Sequence, residues 1–406
     1  MRFWLRTSGS GLSPKLCPAA RSPKPEALMS SLRNLIIERI RASGPISFAE
    51  FMELSLYHPE LGYYARAAQK TGREGDFFTS VDVGDVFGEL LAKQFSEMWR
   101  VLRPEARSPE PEAFDIVEAG SGNGRLSRDI LDAIRRNDPE LYQSIRLSLV
   151  ERSSAAREAQ AANLGPHASL LKYSAAAVPD RIRGVIFANE LLDALPTHAV
   201  VMTETGLREV FVDNRGGQFV EHLQEPSTPR IAAYLSRAGA EMRQGWRAEV
   251  NLAAEDWIAD AAQKLDHGFL LVIDYGHDET ELYGSSHSAG TVTTFKSHTT
   301  FADALQEPGE CDITAHVDLT AVTRAAEHAG LTTLGRLDQT YFILGLGIDD
   351  MMALDQASEP SAVRRRLALK TLMLPGGLGS THKVLLFGKS TGTPALKGLS
   401  YRIRIT

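Results

Sequence analysis

An acid and three alternating glycines, Glu118-Ala119-Gly120-Ser121-Gly122-Asn123-Gly124, stand between two runs of different period. Before them, Phe114, Ile116 and Val117 form the short apolar run of a buried parallel strand. After them, Leu126, Ile130, Leu131 and Ile134 fall on one helical face. Strand, glycine turn and helix in that order make the first crossover of a nucleotide-binding sheet. Glycine permits positive φ and close approach of a ligand to the main chain. The helix N-terminus adds unpaired N–H groups and partial positive charge. Arg125 stands where a dinucleotide fingerprint has its third small residue, and no Gly-Lys-Ser/Thr follows to make a phosphate loop. Glu118 would repel a pyrophosphate and suits a cationic or amino-bearing cofactor instead.

Other polar residues fall at the ends of apolar runs. Ile145–Val150 ends in Glu151, the place where a carboxylate holds a ribose hydroxyl pair, although the spacing from the turn exceeds the fingerprint's roughly 20 residues. Gly184–Ala188 runs into Asn189, Glu190 and Asp193, on the ligand side of an open α/β sheet. Gly268–Ile273 ends in Asp274-Tyr275-Gly276-His277. Several strands thus deliver polar groups to one edge, which a merely structural sheet would not require. His277, His298 and His316 have no metal-motif spacing, so no metal ligands are assigned. Cys311, between Glu310 and Asp312, sits in surroundings that discourage a thiolate.

These groups need elements to position them. Ser30 or Ser31 can cap a helix with Leu32, Leu35, Ile36 and Ile40 on one face, ended by Gly44-Pro45. Phe48–Leu56 reads as a second helix, and Asp85–Trp99 as a third. Between them lies a long glycine- and aromatic-rich stretch containing Asp76, Phe77, Thr79 and Ser80, a length that marks a functional loop. Residues 100–112 read as a linker. Short alternating runs from Ala199 to Leu223, around Asn214-Arg215-Gly216-Gly217, predict an inserted hairpin. Ile231–Met242, Leu252–Leu265 and Leu319–Ala329 read as helices, Leu331–Gly347 and Lys383–Phe387 as the last strands, and Ala353–Leu374 as a late helix with Arg364, Arg365 and Arg366 on its solvated face.

The chain has 406 residues, 43% hydrophobic, enough for one large core and an accessory region. Lys+Arg 44 against Asp+Glu 51 gives a net charge of -7, poor material for nucleic-acid binding. Cys17 and Cys311 alone supply no disulfide framework, and no apolar run reaches the roughly 18 residues of a membrane-spanning helix. These features fit a soluble protein of a reducing compartment. Residues 1–28 are Arg- and Ser-rich and acid-poor, like a mitochondrial transit peptide, but Pro14, Pro18, Pro23 and Pro25 would break an amphipathic helix. A start at Met29 is the simpler expectation.

The E-x-G-x-G-x-G turn resembles motif I of class I S-adenosylmethionine (SAM) methyltransferases. Six blocks occur in order: Gly75-Asp76-Phe77-Phe78-Thr79-Ser80, Phe87-Gly88-Glu89, Glu118–Leu126, Asn189–Pro196, Ile273–His277 and Asp312–Asp318. Together, over about Ser30 to Lys389, they resemble the MidA family, whose mitochondrial branch serves complex I assembly; the turn departs from that branch, which has a proline in it. The resemblance implies a seven-stranded, Rossmann-like α/β sheet at 111–390, with an insertion at about 199–250. It also implies a helical and lid region at 30–110, a disordered extension at 1–29 and a tail at 391–406. SAM is the implied cofactor. Glu118, Gly120, Gly122 and Gly124 would hold its methionine side and Glu151 its ribose, with Asn189 also on the cofactor and Asp76, Phe77, Thr79 and Ser80 as a lid. Glu190 and Asp193 would orient the planar, always charged guanidinium of an arginine. The implied reaction is symmetric dimethylation of an arginine on a complex I subunit or bacterial equivalent. The protein would work in the matrix if 1–28 is a transit peptide, or in the cytoplasm if bacterial, with a homodimer allowed. A non-catalytic SAM-binding assembly factor is the second reading and an NAD dehydrogenase the third.

Overall fold

The computed structural model describes residues 25–67, 80, 83–103, 113–296, 299–301, 303–348, 351, 360–373 and 378–401. Its main sheet runs Leu171–Ala175, Ile145–Val150, Phe114–Ala119, Ile182–Asn189, Leu265–His277, His382–Lys389, Thr332–Asp338. The first five strands are parallel, and His382–Lys389 is antiparallel to both neighbours. An eighth strand, Val317–Asp318, pairs in parallel with the end of Leu265–His277. The glycine turn therefore follows Phe114–Ala119, the first main-sheet strand in the chain, where the chain order of the sheet reverses and an open α/β sheet leaves its ligand crevice.

Alternation along the strands explains why both faces are covered. Ile116, Val185, Phe187, Phe269 and Leu271 bury into one core with the helices Val86–Leu102 and Arg125–Asn137. Their neighbours Val117, Ile186, Leu270 and Val272 bury into the opposite core with Leu252–Lys264 and Leu319–His328. Successive residues of a strand point to opposite faces, so an unbroken apolar run fills two cores. Gly88 lets two helices touch: a Cβ there would lie 2.8 Å from Asp129 Cβ.

The expected hairpin forms, Gly206–Arg215 with Gln218–Gln224, but it does not stand alone. It belongs to a five-stranded antiparallel sheet completed by His198–Thr203, Arg247–Val250 and Ile46–Ser47. Val210, Val212 and Phe219 from this sheet pack on Phe48, Phe51 and Met52 of the N-terminal helix Phe48–Tyr57. The N-terminal helices and the insertion thus share a core, while Val86–Leu102 packs on the main sheet.

Several boundaries differ from the sequence reading. The first helix spans Pro25–Ser43 and includes Met29; a proline costs little in a first turn, where its N–H would lack a partner. Leu265–His277 runs through Asp274, Tyr275 and Gly276 rather than stopping before them. Ile231–Met242 shortens to Pro229–Arg237. The stretch read as one strand from Leu331 is a strand, Thr332–Asp338, followed by the helix Gln339–Gly345; a short continuous apolar run does not distinguish the two. Arg365 is not on a solvated face: it pairs with Glu89. No helix among the described residues is long and apolar enough to cross a membrane.

Candidate functional site at the strand ends

At the glycine turn three left-handed glycines follow one another, Gly120 at φ +72°, Gly122 at +49° and Gly124 at +82°. A Cβ on Gly120 would lie 3.1 Å from Leu191 Cδ1, and one on Gly124 3.1 Å from Leu149 Cδ1, so both are packed from behind. Around Gly122 nothing lies within 4 Å of that position, which leaves main chain open to a ligand. Glu151 holds the turn from the neighbouring strand: its carboxylate accepts from Gly122 N at 2.9 Å and Ser153 N at 2.8 Å. Gln160 donates to Ser121 Oγ and Gly122 O. Glu118, 4% exposed beneath the turn, accepts from Ser127 Oγ on the following helix. Burial pushes its carboxyl up to about 8, against the opposing hydrogen bond from Ser127. A cation brought beside it would favour the ionised form.

Across the crevice a second group converges. Glu190 has φ +53° and begins no helix. Its Oε1 accepts from Ser80 N at 3.2 Å and Asn189 Nδ2 at 3.1 Å, with His382 Nε2 at 3.7 Å. Its Oε2 is buried and has no hydrogen-bond partner among the described residues, and the same holds for Asn189 Oδ1. Asp193, 4% exposed, lies beside the Tyr275 side chain. Burial first, and the adjacent Asp274 second, push its carboxyl well above the usual range. Asp274 is raised too, chiefly by burial, although it accepts from Leu191 N and Leu192 N at 3.1 and 2.7 Å. Asp312 lies on the same side, accepting from the Tyr64 hydroxyl at 2.9 Å.

The sequence-derived residues therefore divide into two halves. Glu118, Gly120, Gly122, Gly124 and Glu151 form one connected turn, and Asn189, Glu190, Asp193 and Ser80 meet at the other side. Asp76, Phe77 and Thr79 lie outside the described residues. Asp274 is more than a loop cap: its two backbone bonds orient the Leu191-Leu192 segment between Glu190 and Asp193. Ser127 and His382 were missed. Ser127 had a weak signal, since it lies on the first turn of the helix above Glu118, whereas nothing local marks His382. The histidine spacing also misleads: His277 and His316 come together with His287, while His298 lies outside the described residues. A cavity of about 590 Å³, lined by residues including Lys93, Asp138 and Lys397, contains none of these site groups.

An open glycine turn, a buried acid beneath it and a carboxylate one strand over fit an amino-bearing nucleoside cofactor. Comparison with known proteins agrees. The model of a family described as S-adenosyl-L-methionine-dependent methyltransferases matches residues 90–337. The mouse mitochondrial protein arginine methyltransferase NDUFAF7 is 32% identical over 86% of this chain and 82% of its own. Its human counterpart is 31% identical over 91% and 89%. A crystal structure of a Burkholderia thailandensis protein described as a methyl transferase, bound to S-adenosyl-homocysteine, superposes with a TM-score of 0.81 at 27% identity, covering 94% of this chain and 98% of that one. The chain belongs to the family of S-adenosyl-L-methionine-dependent methyltransferases, and S-adenosyl-L-methionine is its methyl donor.

Proposed function

We propose that the methyl acceptor is the guanidino group of a protein arginine, held by Glu190. One observation carries this reading: Glu190 keeps a buried carboxylate oxygen at the crevice that has no partner among the described residues, on a residue in the left-handed region. A buried acceptor left unmatched costs about 1–3 kcal/mol, and backbone strain of this kind is retained where the site needs it. A guanidinium would supply the missing donors in a planar, bidentate form. Asp193, Asp274 and Asp312 nearby make the surroundings favourable to a cation. The mammalian relatives' name, protein arginine methyltransferase, supports the same acceptor.

In this reading Gly120, Gly122, Gly124, Glu118 and Asn189 hold the amino-acid side of the donor, and Glu151 the ribose. When bound, the donor supplies a methyl group on a sulfonium, open to in-line attack. Glu190 draws the positive charge of the guanidinium toward its own side, leaves a lone pair on the attacking nitrogen, and would accept the proton that nitrogen loses as the methyl group leaves the sulfonium and sulfur keeps the bonding pair. Asp193 lies behind it with a raised affinity for protons, which an arriving cation lowers. Ser80, hydrogen-bonded to Glu190, ties the proposed lid of Asp76, Phe77, Thr79 and Ser80 to the acceptor carboxylate. Transfer then depends on alignment and water exclusion, with no covalent enzyme intermediate. We extend the proposal to symmetric dimethylation of an arginine on a respiratory complex I subunit or its bacterial equivalent. That step rests on the family resemblance. The matching compartments are the matrix or the bacterial cytoplasm.

Labelled methyl transfer to arginine-containing peptides and to lysine-matched controls tests the acceptor, with mass spectrometry of arginine methylation in cells with and without active protein. Transfer to arginine that Glu190→Gln removes, with S-adenosyl-homocysteine still bound, supports the reading. Transfer to lysine alone, or undiminished turnover in Glu190→Gln, rejects it.

A further inference from the structure

Outside the methyl-transfer crevice, three histidines from three separate segments converge. His277 ends the strand Leu265–His277, His287 ends the 3-10 turn Ser285–His287, and His316 immediately precedes Val317–Asp318. Their ring centroids lie 4.5 Å (His277–His287), 5.0 Å (His277–His316) and 5.8 Å (His287–His316) apart. One ring nitrogen from each can be chosen so that all three lie within 4.8 Å of one another. All three are half-buried.

In two of the three rings Nδ1 is already engaged by the protein. His277 Nδ1 lies 3.1 Å from the Glu281 carboxylate, and His287 Nδ1 lies 3.0 Å from the Glu281 carbonyl oxygen. Each ring therefore has Nε2 left to give. A carboxylate or carbonyl behind a histidine fixes its tautomer and raises its basicity toward a metal. His316 Nδ1 is buried with no hydrogen-bond partner among the described residues, a nitrogen without a role in the protein alone.

The surroundings build the cluster rather than merely permit it. A Cβ at Gly276 would lie 2.1 Å from Val317 O, so only glycine lets the strand carrying His316 pair beside His277. Thr291 Oγ1 donates to Glu249 and accepts from His316 N at 3.1 Å. The His287 segment is held by Gly290 N on His287 O at 2.8 Å and Arg247 N on Ser288 O at 2.9 Å.

We propose that His277, His287 and His316 bind one zinc ion or a zinc-like divalent transition metal, with a fourth position for water. Tetrahedral coordination at about 2.0–2.1 Å places ligand nitrogens about 3.3 Å apart, which half-buried rings reach by small rotations. An all-imidazole set favours zinc, copper or nickel over magnesium or calcium, which prefer oxygen. His316 packs edge-on against Tyr275 at 5.5 Å, and Tyr275 lies beside Asp193. The metal would clip three loops beside the crevice, and its binding does not depend on which acceptor is methylated.

The test is calorimetric titration of zinc into the chelator-treated full chain, with cobalt(II) absorption as a spectroscopic probe. The expected result is one equivalent bound and the intense visible bands of four-coordinate cobalt. His287→Ala and His316→Ala should each abolish both signals, Glu281→Gln should weaken affinity about 10- to 100-fold, and the exposed His328→Ala should change nothing. Circular dichroism of metal-free variants establishes that they fold, and His287, on a surface turn, is the variant least tied to folding. No stoichiometric binding by the native chain overturns the proposal, as does binding that survives His287→Ala unchanged.

Discussion

The two sides of the crevice are built on opposite principles. On the glycine-turn side, Glu118 has Ser127, Glu151 has Gly122 N and Ser153 N, and Gln160 ties the turn to the next helix. On the other side Glu190 Oε2 is buried with no partner among the described residues, while burial raises the carboxyls of Asp193 and Asp274. The difference teaches where each side obtains its stability. A cofactor common to every turnover can meet a finished surface, but a cationic acceptor must be met by groups whose partners it brings. In the proposed reading this side is stabilised on filling, because a cationic acceptor would bring donors to an oxygen that no described residue meets.

The sharpest way to break this comparison is Glu190→Gln. Methyl transfer should fall by roughly 10²–10³-fold, the usual cost of one electrostatic contact to the reacting group, while S-adenosyl-homocysteine affinity measured by calorimetry stays unchanged. A parallel loss of cofactor affinity would mean that the two sides are one unit. Glu118 offers a pH test of the finished side. Its folded carboxyl titrates at about 8, above the ordinary 4.5, so between those values the folded chain holds a proton that the unfolded chain has lost. Its contribution to stability is complete below 4.5 and disappears as pH rises through about 8, at a slope of at most about 1.4 kcal/mol per pH unit. Denaturant melts of the native chain and Glu118→Gln across this window should differ in slope, the variant being flatter.

Ser127→Ala removes the hydroxyl from that same carboxyl and should cost about 1–3 kcal/mol, read as a lower urea midpoint with unchanged m-value. An unaltered midpoint would show that Glu118 does not rely on Ser127. The smallest effect belongs to Gly122→Ala. No atom lies near its missing Cβ, so only the left-handed backbone is penalised, by roughly 1–2 kcal/mol. Gly124→Ala, which meets Leu149 as well, should melt lower than Gly122→Ala; equal melting would remove the distinction between the packed and the open face of the turn.

Legibility in the sequence followed contiguity. Glu118 to Gly124 and the helix after them could be read because strand, turn and helix are consecutive, and each leaves its own period. Glu151, Glu190 and Asp193 could be placed on one edge because parallel strands all end there. The hairpin was legible from its Asn214–Gly217 turn, yet its sheet was not, since Ile46–Ser47 pairs with Val212 and Phe211 from a remote part of the chain. Tyr341 to Leu344 read as strand because four consecutive apolar residues carry no period.

By itself the sequence determined the crossover, the chemistry of the turn and the strands that carry the acids, since these depend on neighbours a few residues apart. Only the folded chain decided that His382 stands by Glu190, that Asp274 shares its burial with Asp193, and that His277, His287 and His316 meet. The reason is physical: a local period records which face of an element is buried, but not which distant side chain is buried beside it. Desolvation and charge coupling arise from that second fact alone.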